Sequence, residues 1–233
     1  MDLSYTKETF LEGQLLLINK PLHWTSFQLV NKLRWAIRKT YGIKKIKVGH
    51  AGTLDPLATG LMLICTGKMT KQMEQFIDME KTYTGTLTLG ATTPSYDLET
   101  EPTNKKAYKH LTSKKLEETC SQYVGDITQA PPLYSAIKKD GQRLYTIARA
   151  GETIDVPKRK VQIKKFELIE IKLPDVSFSV RCSKGTYIRS LAHDFGQSLG
   201  CGAHLTKLNR TSIGHYNLSE SVTLDTFLKN LEE

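Results

Sequence analysis

Long apolar runs are missing from this sequence. Nothing in the 233-residue chain approaches the roughly 18 consecutive apolar residues that a bilayer-crossing helix needs. Residues 1–12 are mostly polar, so neither a membrane span nor a secretory leader is expected, and the protein is expected in the cytoplasm. Cysteine is scarce: Cys65, Cys120, Cys182 and Cys201 lie far apart with no Cys-x-x-Cys pair, which argues against a zinc site and a disulfide framework and for thiols. Six histidines without ligand spacing extend that expectation to metals in general. Repeats, low-complexity tracts and long linkers are also absent, so residues 1–233 are expected to form one domain, and 39% hydrophobic content supports a substantial core.

Negative charge is in short supply too. Thirty-three Lys and Arg face 24 Asp and Glu, a formal net charge of +9. The excess is clustered: residues 32–47 hold seven basic side chains and no acidic one, and further clusters are Lys105, Lys106, Lys109, Lys114 and Lys115, then Lys158, Arg159, Lys160, Lys164 and Lys165. One cluster alone reads as a solvated face. Three on a chain with a pI near 9.3 point to a polyanion, most simply nucleic acid. Lys44, Lys45 and Lys47 are the candidates for RNA-backbone contact.

What is present centres on residues 49–67. Gly49, Gly52 and Gly60 allow unusual backbone angles, Pro56 stiffens the link after Asp55, and Leu61, Met62, Leu63, Ile64 and Cys65 read as a buried strand. A lone carboxylate, Asp55, sits where the loop enters that strand, a placement suited to holding a reacting group. The structural alternative is that Asp55 caps a short helix starting at Pro56.

Before this loop, residues 15–18 read as a strand. Thr25 or Ser26 caps a helix with Leu29, Val30, Leu33 and Ile37 inward, ended by Gly42. After it come a short helix over 70–78 with Met73, Phe76 and Ile77 inward, an alternating strand over 81–90, a polar loop over 100–113 and a helix over 114–124. Strands are expected over 161–166, 168–173 and 176–181. A strand ends at Gly185, followed by a helix with Ile188, Leu191, Ala192 and Phe195 inward, and a last helix covers 223–231.

The string Gly52-Thr53-Leu54-Asp55-Pro56-Leu57-Ala58-Thr59-Gly60 resembles the active-site motif of the TruB family of tRNA pseudouridine synthases. At average residue usage, its seven fixed positions would recur by chance in roughly one window in a billion. The resemblance continues through Lys20-Pro21, the Lys-x-Tyr around Tyr83, and the segment of Pro131, Pro132, Tyr134, Ser135, Ala136, Lys138, Gly141, Leu144, Tyr145, Ala148, Arg149 and Gly151. It ends in the stretch from Cys182 through Tyr187, Arg189 and Leu191 to Leu208, Asn209 and Arg210. Two positions depart from the family pattern: His23 stands where a glycine is usual, and Pro94 replaces the first acid of the family's usual Thr-Asp-Thr-x-Asp.

The resemblance implies an α+β fold, a mixed and mainly antiparallel central sheet flanked by helices with the active-site cleft across it. It implies isomerisation of the T-loop uridine of tRNA, numbered 55 by convention, to pseudouridine by base flipping, without cofactor or metal. Asp55 would be the catalytic carboxylate and Arg189 its ionic partner. Tyr83 would lie against the target base, His50 would fill the gap left in the RNA, and Tyr187 and Leu208 would line the pocket. Lys20 and Pro21 would be structural supports. The protein is expected to act on tRNA as a monomer, as a short form without the C-terminal RNA-binding PUA domain of most relatives.

The chemistry fits one placed carboxylate. The bond from ribose to base nitrogen breaks, the base turns, and a bond to carbon forms, with an electron-poor glycosidic carbon between. Two competing readings stand beside it. A non-catalytic RNA-binding module would keep the basic surface but has no need of Asp55, Tyr83 and Arg189 together. A glycoside hydrolase usually requires two paired carboxylates, and the loop offers one.

Overall fold

Ten strands join in one mixed sheet flanked by helices, in a computed structural model that describes residues 5–135, 138–139, 142–143, 146 and 156–232. In chain order the elements are α1 (Lys7–Glu12), β1 (Leu15–Lys20), α2 (Ser26–Tyr41), β2 (Val48–His50), β3 (Ala58–Thr66), a 3-10 helix (Gly67–Gln72), α3 (Met73–Asp78) and β4 (Lys81–Leu89). They continue with α4 (Ser113–Ser121), β5 (Gly125–Gln129), β6 (Lys138–Lys139), β7 (Gln142–Arg143), β8 (Arg159–Lys172), β9 (Asp175–Cys182) and α5 (Ile188–Ser198). The chain closes with β10 (Ala203–Ile213), β11 (Tyr216–Asn217), a 3-10 turn (Leu218–Glu220), β12 (Val222–Thr223) and α6 (Leu224–Asn230).

The strand order is β12-β1-β3-β10-β4-β9-β8-β5, with β2 paired to β3 and β11 to β10, while β6 and β7 pair separately. The β1–β12 pairing is parallel; β1–β3, β2–β3, β5–β8, β8–β9 and β10–β11 are antiparallel. The expected α+β, mainly antiparallel architecture is therefore the one found.

The chain divides into two compact units. The first is Met1–Tyr83 with Asn209–Glu233, the second Thr84–Leu208. In the first, Leu61 to Cys65 of β3 are wholly inaccessible, which explains an apolar run with no alternation: both faces are covered. One face, Leu61, Leu63 and Cys65, packs with Ala51, Phe76 and Ile213. Helix α2 starts at a capping box, Thr25 with Gln28, and stops where Gly42 turns left-handed at φ 61° and its N–H closes on the Arg38 carbonyl. In the second unit, Phe166 of β8 meets Phe178 at 5.8 Å and Phe195 at 5.9 Å between ring centres, tying α5 to the sheet.

Several expectations need correction. No helix follows Asp55: a turn covers Pro56 and Leu57, and β3 begins at Ala58, so the capping alternative fails. Ile77 points outward at 40% exposure, because the inward stripe of the short α3 is narrow and is filled by Met73 and Phe76, which pack on the core as expected. The strands expected over 161–166 and 168–173 are the single strand β8, kept continuous by register shifts between Ile163 and Lys165 and between Leu168 and Glu170. Strand β9 ends at Cys182, before Gly185. The cysteines are buried as thiols, with Cys65 pushed up to about 11 and Cys120 to about 12 by burial. Ala136, Gly141, Leu144, Tyr145, Ala148, Arg149 and Gly151 of the central segment lie outside the described residues.

Candidate active site

Asp55 is fixed through its two neighbours in the chain. Ser26, in the first turn of α2, donates from Oγ to the Leu54 carbonyl and accepts from the Leu54 N–H, both at 2.9 Å. His23, in the turn between β1 and α2, donates its backbone N–H to the Pro56 carbonyl at 2.8 Å. The residues before and after the carboxylate are thus gripped from one connection, while Asp55 itself stays partly accessible. His23 has φ 66°, so it adopts the left-handed conformation that favours glycine.

The same connection wraps a buried cation. Lys20 is 0% exposed, and its Nζ donates to the carbonyls of Pro21 at 2.8 Å and Trp24 at 2.6 Å. Burial pushes its amino group from 10.5 down to about 8; the Asp55 charge works against that shift and Arg210 works with it. An ammonium charge that acts on a carboxylate favours its ionised form, and here the ammonium is the member of the pair closed to solvent.

Arg210 of β10 is a second buried cation, 1% exposed. It donates from Nε to the Leu61 carbonyl at 2.7 Å and from Nη2 to the Gly52 carbonyl at 3.1 Å, joining the two ends of the loop. Gly60 shows how close the strands come: a Cβ there would lie 2.5 Å from the Arg210 backbone nitrogen, at a φ of +111°. His50 ends β2 on the same loop. Burial pushes its imidazole pKa down, the Arg210 charge adds to this, and a hydrogen bond with the Gly52 backbone opposes it; its buried Nδ1 has no hydrogen-bond partner among the described residues. Tyr83 is 8% exposed on the inward row of β4 with Lys81, whose Nζ donates to carbonyls at the end of α3, Met79 at 2.6 Å among them.

Tyr187, Arg189 and Leu208 belong to the second unit. Gln129 brackets Tyr187, accepting from its N–H at 2.7 Å and donating to its carbonyl at 3.0 Å, and the Arg159 guanidinium lies 5.1 Å from the Tyr187 ring centre. Arg189, 3% exposed in the first turn of α5, donates from Nη1 to the Ser95 carbonyl at 3.1 Å and from Nη2 to the Tyr134 carbonyl at 2.9 Å. Its Nε lies 3.7 Å from Asp97 Oδ2, an ion pair closed to solvent. Leu208 is half-buried on β10. Lys44, Lys45 and Lys47 are exposed in the loop before β2. Among the described residues, no three His, Cys, Asp or Glu side chains gather as a metal-binding group.

Sequence reasoning missed Ser26 as a clamp, Lys20 as a charge beside Asp55, Arg210 as the loop's tie and Asp97 as a partner of Arg189. One signal was available: a lysine ending the apolar row Leu16, Ile18, Lys20 continues the buried side of β1.

Residues 38–188 match the family model described as TruB family pseudouridylate synthase (N terminal domain), and residues 189–233 match one described as tRNA pseudouridylate synthase B C-terminal domain. The curated tRNA pseudouridine synthase B of Flavobacterium johnsoniae is 54% identical over 228 residues, 97% of this chain and 100% of that protein. That of Phocaeicola vulgatus is 50% identical over 224 residues, 96% of this chain and 95% of the relative. Among solved structures, a chain of a Cbf5-Nop10-Gar1 complex superposes with a TM-score of 0.69 at 27% identity, over 94% of this chain and 54% of that one. This chain thus spans about half the length of that structural relative.

Proposed function

The chain belongs to the TruB family of pseudouridine synthases, and from that membership we propose that it isomerises the T-loop uridine of tRNA conventionally numbered 55. The observation that carries the mechanism is the fixed carboxylate: Asp55 is held through Leu54 and Pro56 and sits within the field of the buried Lys20 ammonium. An ionised, oriented carboxylate can stabilise, attack or deprotonate at the electron-poor ribose as the glycosidic bond to nitrogen breaks. The base then turns and rejoins through carbon, so no atom is gained or lost and no cofactor is called for.

The target base has to leave its stack, which costs a few kcal/mol. Tyr83 receives it, and stacking on an aromatic ring returns roughly 1 to 3 kcal/mol. His50 fills the space the base vacates, Tyr187 and Leu208 line the pocket, and Arg189 is the countercharge that the family pattern assigns to Asp55. The protein works on tRNA as a monomer in the cytoplasm; among the described residues no helix is long and apolar enough to cross a membrane.

The test is Asp55→Asn. It removes one charge without changing size, so conversion of tRNA should fall by at least about 10³-fold while tRNA affinity and the thermal transition stay near those of the parent protein. Appreciable pseudouridine formation by this variant would remove the central claim.

A further inference from the structure

Five cations outside the reacting loop share one groove. Arg34 and Arg38 of α2 and Lys44, Lys45 and Lys47 of the following loop line a depression of about 470 Å³, together with Thr70. The arginines are oriented by the protein. Arg34 donates from Nη2 to the Val48 carbonyl and from Nη1 to Asn31 Oδ1, both at 3.1 Å, and Arg38 donates from Nε to the Ile43 carbonyl at 3.2 Å. None of the five forms an ion pair among the described residues, and residues 32–47 contain no acid. Positive charge held together without a carboxylate repels itself, and an anion relieves it.

The same helix, α2, also carries exposed aromatics. Trp35 is 54% exposed with the Nζ atoms of Lys32 and Lys39 each 5.0 Å from its ring centre, and Phe27, 70% exposed, lines a second hollow with Asn31 and Lys32. Exposed aromatics interleaved with cations suit a nucleic acid, which offers phosphate to one and ring or ribose faces to the other.

Resting on the proposed tRNA substrate, we propose that this groove is a second RNA-contact site that seats the phosphodiester backbone of the substrate's stem, away from the nucleotide being isomerised. Its lining includes Val48 and Gly49 of β2, the strand that leads to His50 and the Asp55 loop.

The experiment compares the parent protein with the triple variant Lys44→Gln, Lys45→Gln, Lys47→Gln, measuring affinity for whole tRNA across a salt series and turnover at saturating tRNA. Each lost phosphate contact should flatten the logarithmic salt slope by about 0.7 to 0.9. The triple variant should therefore bind tRNA more weakly with a shallower slope, and regain the slope when the three positions are Arg instead. On a hairpin trimmed to the target loop and a few base pairs, parent and variant should bind alike. Equal slopes on whole tRNA would overturn the proposal, and so would equal impairment on the trimmed hairpin, which would assign the lysines to the reacting loop. Competition with inorganic tripolyphosphate identifies the other source of the same chemistry: binding of that ion abolished in the variant, with RNA slopes unchanged, would make the groove a site for free anions and overturn the RNA assignment. Affinity is read without turnover, so a failure of the isomerase assignment would show separately, as absence of pseudouridine with either protein.

Discussion

At the scale of single residues, the site is governed by two side chains whose types look wrong for their places. His23 occupies a left-handed position, where a non-glycine residue is strained by roughly 1 to 2 kcal/mol. Its N–H nevertheless has to hold Pro56. His23→Gly relieves the strain but loosens the unfolded chain, so the melting free energy should change by less than about 1 kcal/mol with activity retained. His23→Val, β-branched, should lose more than about 1 kcal/mol and slow turnover, because the turn that grips Pro56 must distort; calorimetry and a turnover assay on the two variants check this. Lys20 is the second. Its folded value of about 8 lies below the ordinary 10.5, so between those values the unfolded chain holds a proton that the folded chain has lost. Through that window the group makes the fold more stable as pH rises; below about 8 both states are protonated and the burial penalty is fully present. Turnover should move the other way, falling above about 8 as Asp55 loses its neighbouring charge. Lys20→Arg, which stays protonated, should remove that limb from the pH profile of kcat, and persistence of the limb would assign it to another group.

At the scale of elements, the carboxylate is placed by the β1–α2 connection and by β10, neither of which carries it. Ser26→Ala removes both hydrogen bonds to Leu54 in a buried spot, so it should cost about 1 to 3 kcal/mol of stability and slow kcat roughly 10- to 100-fold, with tRNA affinity little changed. Gly60→Ala should do worse by another route: its Cβ would meet the Arg210 backbone, which cannot step aside without parting β3 from β10. Thermal melts of the two variants separate loosened positioning from a damaged sheet. The elements themselves were largely legible in the sequence. The unbroken run from Leu61 to Cys65 announced a doubly covered strand, and Thr25 and Gly42 marked both ends of α2. Strand β8 was misread as two because its bulges interrupt the alternation on which strand reading depends. Asp55 was legible because glycine, proline and a motif surround it. Arg210, Ser26 and Asp97 were not, since each acts on a partner distant in the chain, and periodicity carries no record of such pairs.

At the scale of the molecule, the +9 charge and the groove at the end of α2 act on encounter more than on chemistry. A basic surface draws a polyanion over distances comparable to the Debye length, about 10 Å at 0.1 M salt, and the effect falls away as salt rises. The reacting group is protected differently, because Lys20 and Arg210 are buried beneath the loop, where ions screen them little. The two steady-state constants should therefore separate with salt. kcat/KM, which includes capture of tRNA, should fall steeply between 50 and 200 mM monovalent salt, by about 10-fold or more if several phosphate contacts form. kcat at saturating tRNA should stay within about twofold over the same range, since it reports chemistry and release from a bound complex. Rapid mixing with labelled tRNA should place the loss in the association rate. A kcat that fell in parallel with kcat/KM would mean that screened surface charges reach into the step at Asp55, and the separation of capture from chemistry would be wrong.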